Sequence, residues 1–217
     1  MPRRSILTAR QRAALFDLPT DEATILYHYT LADDDLEFIR TRRHARNRLG
    51  FALQLCAFRY PGRLLASGEV IPEAVSSFIA AQLGEEMDEL CRYAETDVTR
   101  RRHLVDLRQI YDFKMFSGHR ARELKDWLSG EAEVATSNHD LARRFVVECR
   151  RTQTILPGVS VVERLCADAL VAAERRIESA IVNRLDEDRK ARLDTLLTEM
   201  VDGTVSRFVW LRQFEVG

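Results

Sequence analysis

The stretch Ala45-Arg46-Asn47-Arg48-Leu49-Gly50-Phe51-Ala52-Leu53-Gln54-Leu55-Cys56-Ala57-Phe58-Arg59-Tyr60 reads as one helix. Leu49, Ala52, Leu53 and Cys56 follow i, i+3, i+4, i+7 spacing, which lines up one helical face, and Pro61-Gly62 ends the run. The same period continues outward on both sides. Upstream, Thr8 caps a helix carrying Ala13, Ala14, Leu15 and Leu18 before Pro19, and Thr20 caps a second with Asp21 and Glu22 in its first turn. A third helix opens between Thr30 and Asp33, with Leu36, Phe38 and Ile39 on its apolar side. Arg42–His44 breaks the chain before the central helix.

Downstream, Pro72 starts a helix with Val75, Phe78, Ile79 and Leu83 that stops at Gly84. An acidic helix around Glu85–Tyr93, a longer one around Asp97–Phe113 and one from His119 to Leu128 follow. Ser137 caps a helix running to about Arg151, and Ser160-Val161-Val162-Glu163 has the form of a capping box. The helix it opens keeps Val162, Leu165, Cys166, Ala169, Ala173, Ile177 and Ile181 on one face. A helix over about Glu187–Val201, broken by Gly203, and a short piece through Trp210 close the pattern. Trp127, and Trp210 with Phe208 and Leu211, read as core or interdomain packing.

The expected fold class is therefore all-α, with two small helical bundles over 1–131 and 132–217. The boundary falls in the small, polar stretch Glu131–Asn138. Glycine and proline number 9 and 5 among 217 residues, too few for a sandwich or barrel that turns every ~8–12 residues. The longest nearly apolar stretch, Gly50 to Phe58, is far shorter than the ~20 residues of a membrane span. No secretory signal is seen at the N-terminus, and a cytoplasmic location is expected. Cys56, Cys91, Cys149 and Cys166 lie far apart without a Cys-x-x-Cys pair, so buried thiols are expected rather than disulfides or zinc. Asp33-Asp34-Asp35 reads as a helix start with first-turn acids, and the five histidines lack ligand spacing, so neither metal nor cofactor is expected. No Gly-rich phosphate loop, nucleophile elbow or paired-carboxylate motif marks an enzyme or a small-molecule substrate.

The net charge of −1 conceals strong segregation. Residues 1–68 hold 11 basic and 7 acidic side chains, whereas residues 69–99 hold 1 and 8. Residues 100–151 are basic again, with 12 against 8. Between Phe38 and Gly68 stand Arg40, Arg42, Arg43, Arg46, Arg48, Arg59 and Arg63 without one acid. Arginine outnumbers lysine 30 to 3, and its planar fork grips phosphate or guanine bidentately. A genome rich in arginine codons produces the same bias in residue identity, though clustering is harder to attribute to it. The third and fourth helices, joined by an arginine-rich turn, have the outline of a helix-turn-helix, whose second helix presents its N-terminal residues to base edges.

More specific wording lies along the chain. Leu7-Thr8-x3-Arg12 through Leu18-Pro19 is followed by Tyr29-Thr30-Leu31, Asp35-Leu36 and Arg42-Arg43. Asn47-Arg48-Leu49-Gly50-Phe51-Ala52-Leu53-Gln54-Leu55-Cys56 leads to Phe58-Arg59-Tyr60-Pro61-Gly62-Arg63, and Gln82-Leu83-Gly84 comes later. Thr99-Arg100-Arg101, His103-Leu104, Leu107-Arg108, Ile155-Leu156-Pro157, Val162-Glu163-Arg164-Leu165 and Ala173-Glu174-Arg175-Arg176 continue the pattern. Over nearly its whole length the chain resembles the N-terminal region of the Tn3-family transposases. His44-Ala45 departs from the pattern, standing where a glycine-containing turn is expected.

That resemblance implies a DNA-binding part of a longer transposase, with 132–217 a second helical domain truncated from the parent. Its partner would be double-stranded DNA at the terminal inverted repeats of a mobile element, bound during transposition. Strand cutting would reside in a separate RNase H-like domain, so this segment is not expected to be an enzyme. Self-association would come through the parent protein. The alternative class is a helical protein–protein module for assembly or regulation of the transposition complex. The candidate DNA-binding residues are Arg40, Arg42, Arg43, Arg46, Arg48 and Arg63, then Arg100, Arg101, Arg143, Arg144 and Arg150. Within the run, Arg46 is assigned to a base edge and Arg42, Arg43 and Arg48 to the backbone.

Overall fold

The computed structural model describes residues 7–66, 68–90, 97–201 and 203–212. The fold is all-α, as the periodicity predicts, and it divides into two compact units, Met1–Leu170 and Val171–Gly217.

The first unit begins with α1 (Ala9–Phe16), where Thr8 and Gln11 form a reciprocal capping box. Next come α2 (Glu22–Tyr29), α3 (Asp33–Arg40), α4 (Ala45–Arg59) and α5 (Glu73–Leu83). The cap of α2 is Asp21, not Thr20: its carboxylate accepts the Thr24 N–H at 2.9 Å. An ionised cap also complements the positive helix end better than a hydroxyl does. Gly84 adopts the left-handed conformation that ends α5. The acidic helix expected over Glu85–Tyr93 shrinks to a 3-10 turn at Met87–Leu90, and residues 91–96 lie outside the described residues. Then follow α6 (Asp97–Ile110), β1 (Lys114–Met115), α7 (Gly118–Glu131), α8 (Asn138–Arg151), β2 (Thr154–Ile155) and α9 (Val159–Arg184). Strands β1 and β2 form a two-residue parallel pair.

Helix α4 is the hub. Every residue from Leu49 to Phe58 is buried, so the helix is covered on all sides rather than along one stripe. It packs against α2, α3, α5 and α6. Phe51 contacts Phe38 and His103, and Phe58 meets Phe113 edge-on. Polar side chains tie the layers together. The Tyr29 hydroxyl donates to the Tyr60 carbonyl at 2.7 Å, while Gln82 accepts the Leu31 N–H and donates to the Tyr29 carbonyl. Cys56, Cys149 and Cys166 are buried, and burial pushes each thiol up to about 12. Cys91 lies outside the described residues.

The capping box expected at Ser160–Glu163 gives way to a different use of Glu163. The Val162 N–H bonds the Gly158 carbonyl, and the Glu163 carboxylate accepts from the Leu7 N–H and the Arg12 guanidinium. A tertiary ion pair thus takes the carboxylate that a local cap would have used.

The second unit holds the end of α9, then α10 (Glu187–Thr198), a hairpin of β3 (Met200–Val201) and β4 (Val205–Ser206), and α11 (Arg207–Leu211). Arg207 pairs with Glu199 at 2.8 Å. Trp210, Phe208 and Leu211 are exposed within it rather than forming a core, and Trp127 of the first unit is half-buried.

Candidate nucleic-acid interface

The acid-free run from Phe38 to Gly68 receives acids in space from segments outside it. Arg59 makes a two-pronged pair with Asp35, both bonds at 2.9 Å. Arg63 grips Glu69 and also donates to the Phe16 and Leu64 carbonyls. Arg48 pairs with Glu85 and donates to the Arg42 carbonyl at 2.9 Å. Arg42 reaches Asp106 at 2.7 Å, with its guanidinium over the rings of Phe51 and Phe38 at 4.6 and 4.9 Å.

Burial alone would raise the carboxyls of Asp35 and Glu69. The hydrogen bonds from Arg59 and Arg63, with backbone N–H donors at Ala32 and Ala66, outweigh it and hold both below the usual carboxylate range. Four of the seven arginines in the run are therefore committed to holding the fold.

The other three gather where α3 ends and α4 begins. Arg40 closes α3, Arg43 stands in the turn, and Arg46 lies in the first turn of α4. Arg40 and Arg43 are exposed and Arg46 is half-buried. Among the described residues none of the three makes an ion pair. His44, the N-cap of α4, is exposed and makes no side-chain cap bond. The partial positive charge of a helix N-terminus, about half an elementary charge, adds to theirs. The first turn of α4 is the part of this helix open to a large ligand at the α3–α4 turn, because every residue from Leu49 to Phe58 is buried.

The other candidates stand on α6 and α8. Arg100 donates to the Leu65 carbonyl, and Arg101, next to it, is exposed. On α8, Arg144 pairs with Glu131 and Asp140, and Arg143 pairs with Asp140 from a largely exposed position. Arg150 donates to the Pro61 carbonyl at 2.8 Å and lies over the Tyr60 ring at 4.2 Å. His28 also stacks on Tyr60, with ring centroids 4.5 Å apart.

Two structural residues carried no local sequence signal. Asp106, on the far side of the acidic segment, is the counter-ion of Arg42. His103 is buried edge-on to Phe51, and burial, reinforced by the nearby Arg42 charge, lowers its pKa to about 4.

Among the described residues no group of three or more His, Cys, Asp or Glu side chains is placed to hold a metal ion. A cleft of about 650 Å³ between α1 and the loop before α5 is lined by Asp17 and Asp21, whose charge repels phosphate, and by Glu69, which Arg63 neutralises. No helix among the described residues is long and apolar enough to cross a membrane.

Residues 6–169 match the family described as Domain of unknown function (DUF4158). The chain belongs to that family. The DUF4158 region covers most of the first unit, including the α3–α4 turn. Over 213 residues, 98% of its length, the chain is 38% identical to the transposase for transposon Tn501 of Pseudomonas aeruginosa. It is also 38% identical to the transposase for transposon Tn3926 and 37% identical to that for Tn21, both of Escherichia coli. These relatives are Tn3-family transposases, matched over their N-terminal region, and the chain spans 22% of their length.

Proposed function

We propose that this DUF4158 chain binds double-stranded DNA at the terminal inverted repeats of a mobile element, as the DNA-binding part of a transposase. The observation that carries the reading is the group Arg40, Arg43 and Arg46. These are three arginines without ion pairs among the described residues, displayed at one turn that Arg42 and Arg48 brace, while Arg59 and Arg63 hold the chain at the other end of α4. Unpaired guanidiniums beside an open helix N-terminus suit phosphate oxygens and guanine edges. The names of the relatives support DNA as the partner. The turn meets the duplex in the manner of a helix-turn-helix reduced to its tip, since only the start of α4 can enter a groove.

The chain acts in the cytoplasm and performs no strand cleavage itself. In the full transposase, cutting and joining belong to another domain, and copies associate through that parent protein. Arg143 adds a peripheral phosphate contact, whereas Arg63, Arg100, Arg144 and Arg150 serve the fold.

The test is a titration of labelled duplex carrying the cognate terminal repeat against a scrambled duplex, repeated across salt. Three phosphate contacts weaken binding about 40-fold between about 50 and 200 mM salt. Equal affinity for both duplexes, or a flat salt response, overturns the reading. The second reading, a helical module for assembly of the transposition complex, is favoured by the apolar side chains exposed in the second unit, including Leu197 and Trp210. It predicts the flat response.

A further inference from the structure

We infer that Arg102, rather than its neighbour Arg101, extends the phosphate-binding surface of the α3–α4 turn onto α6. The inference rests on the DNA-binding reading above and deepens it.

The geometry begins with Asp106, which anchors the turn by pairing with Arg42 at 2.7 Å. Successive residues of an α-helix are about 100° apart and rise about 1.5 Å each. Arg102, four residues before Asp106, therefore lies only about 40° from it around the helix and about 6 Å along the axis. Arg101 lies about 140° away, on the opposite flank with Arg108. The inward side of α6 is fixed independently by His103 and Leu107, both buried. That leaves Asp106 and Arg102 on the side of the helix that meets the turn, with Arg102 displaced toward solvent.

Arg102 is exposed and makes no ion pair among the described residues. The acid one helical turn away cannot neutralise it, because Asp106 is already engaged by Arg42. The charge of Arg102 is felt at His103, which faces Phe51 and the Arg42 guanidinium. Arg40, Arg43 and Arg46 approach from one element and Arg102 from another. A duplex whose groove receives the start of α4 then presents a flanking phosphate row to α6. The contact is to backbone phosphate and carries no base preference.

The test uses the full chain and a random-sequence DNA duplex, with binding measured between about 50 and 200 mM salt for Arg102→Ala, Arg102→Lys, Arg101→Ala and Arg43→Ala. Each phosphate contact removed reduces the fall in affinity over that range by about 3.5-fold. The expected result is that reduction for Arg102→Ala, retention of the parent response in Arg102→Lys, and no change for Arg101→Ala. The lysine variant separates loss of charge from loss of fold. If Arg43→Ala reduces the salt response and Arg102→Ala does not, the assignment of Arg102 is overturned while DNA binding by the turn stands. An equal effect from Arg101→Ala overturns it too, because the two side chains occupy opposite flanks. If neither Arg43→Ala nor Arg102→Ala changes the response, both readings fall.

Discussion

Arg42 and Asp106 meet across 64 residues of sequence, their charged atoms 2.7 Å apart, and join the α3–α4 turn to the middle of α6. The guanidinium is sandwiched against Phe38 and Phe51, and its Nε is buried without a hydrogen-bond partner. The pair therefore has a desolvation cost that its single ion pair and two ring contacts must offset.

Asp106→Ala should leave that guanidinium with no counter-ion. Loss of about 1–3 kcal/mol of stability is expected from the stranded group, read as a lower urea midpoint at unchanged slope. Duplex affinity should fall further than stability alone explains, since the turn loses its anchor on α6. A variant that melts like the parent would show that the rings alone hold Arg42.

Asp35 and Arg59 form the more buried clasp, with the Asp35 side chain only 3% exposed. Asp35→Ala should cost about 3–5 kcal/mol by stranding Arg59. The pair also sets an acid limit. Because the folded carboxyls of Asp35 and Glu69 titrate below their ordinary values, the unfolded chain binds protons more readily in that window. Their contribution is full above the ordinary carboxylate range and disappears as pH falls through the folded values. Denaturation midpoints measured downward from pH 5 should drop steeply, and less steeply in Asp35→Asn.

His103 acts over a different window. Its folded pKa of about 4 lies below the ordinary 6.5, so between these values the unfolded chain holds the extra proton and stability rises with pH. Acidification from pH 7 to 4 should remove on the order of 3 kcal/mol through this residue. His103→Gln should flatten the profile between pH 6.5 and 4 while leaving the steeper acid limb of Asp35 in place. An unchanged profile would mean that His103 opens to water before it titrates.

Gly62 has a φ of +99°, and a Cβ there would stand 3.1 Å from the Arg150 Cγ. The carbonyl of Gly62 accepts the Leu156 N–H at 2.8 Å, so the turn is held on both sides. Gly62→Ala should therefore destabilise the chain by about 1–3 kcal/mol through backbone strain together with displacement of Arg150 from Tyr60. Gly68→Ala is the comparison: its φ is also positive, but nothing lies within 4 Å of the new methyl.

The helical pattern was legible because core positions recur at the helix period, and Thr8, Pro72, Gly84 and Ser137 mark ends through local chemistry. The ion pairs were not legible. The partners of Arg42, Arg48, Arg59 and Arg63 lie 64, 37, 24 and 6 residues away, and no local rule selects Asp106 over other acids. A run without acids thus looked wholly basic, although folding neutralises four of its arginines. The hairpin of β3 and β4 escaped for the opposite reason, since two-residue strands are too short to establish an alternating pattern.

What remains for DNA recognition is a division of labour within the turn. Arg43 is exposed between the helices, while Arg46 is half-buried in the first turn of α4, a burial that restricts its side chain. A restricted donor suits a base edge, and a free one suits a phosphate. Arg46→Ala should cost about 1–3 kcal/mol on the cognate duplex and flatten the preference at one base pair. Arg43→Ala should weaken cognate and random duplexes alike and lower the salt slope by about one. Binding of both variants to a panel of single-base-pair substitutions of the cognate site decides it. If Arg46→Ala weakens every duplex equally, Arg46 is another phosphate contact and base recognition lies elsewhere on the chain.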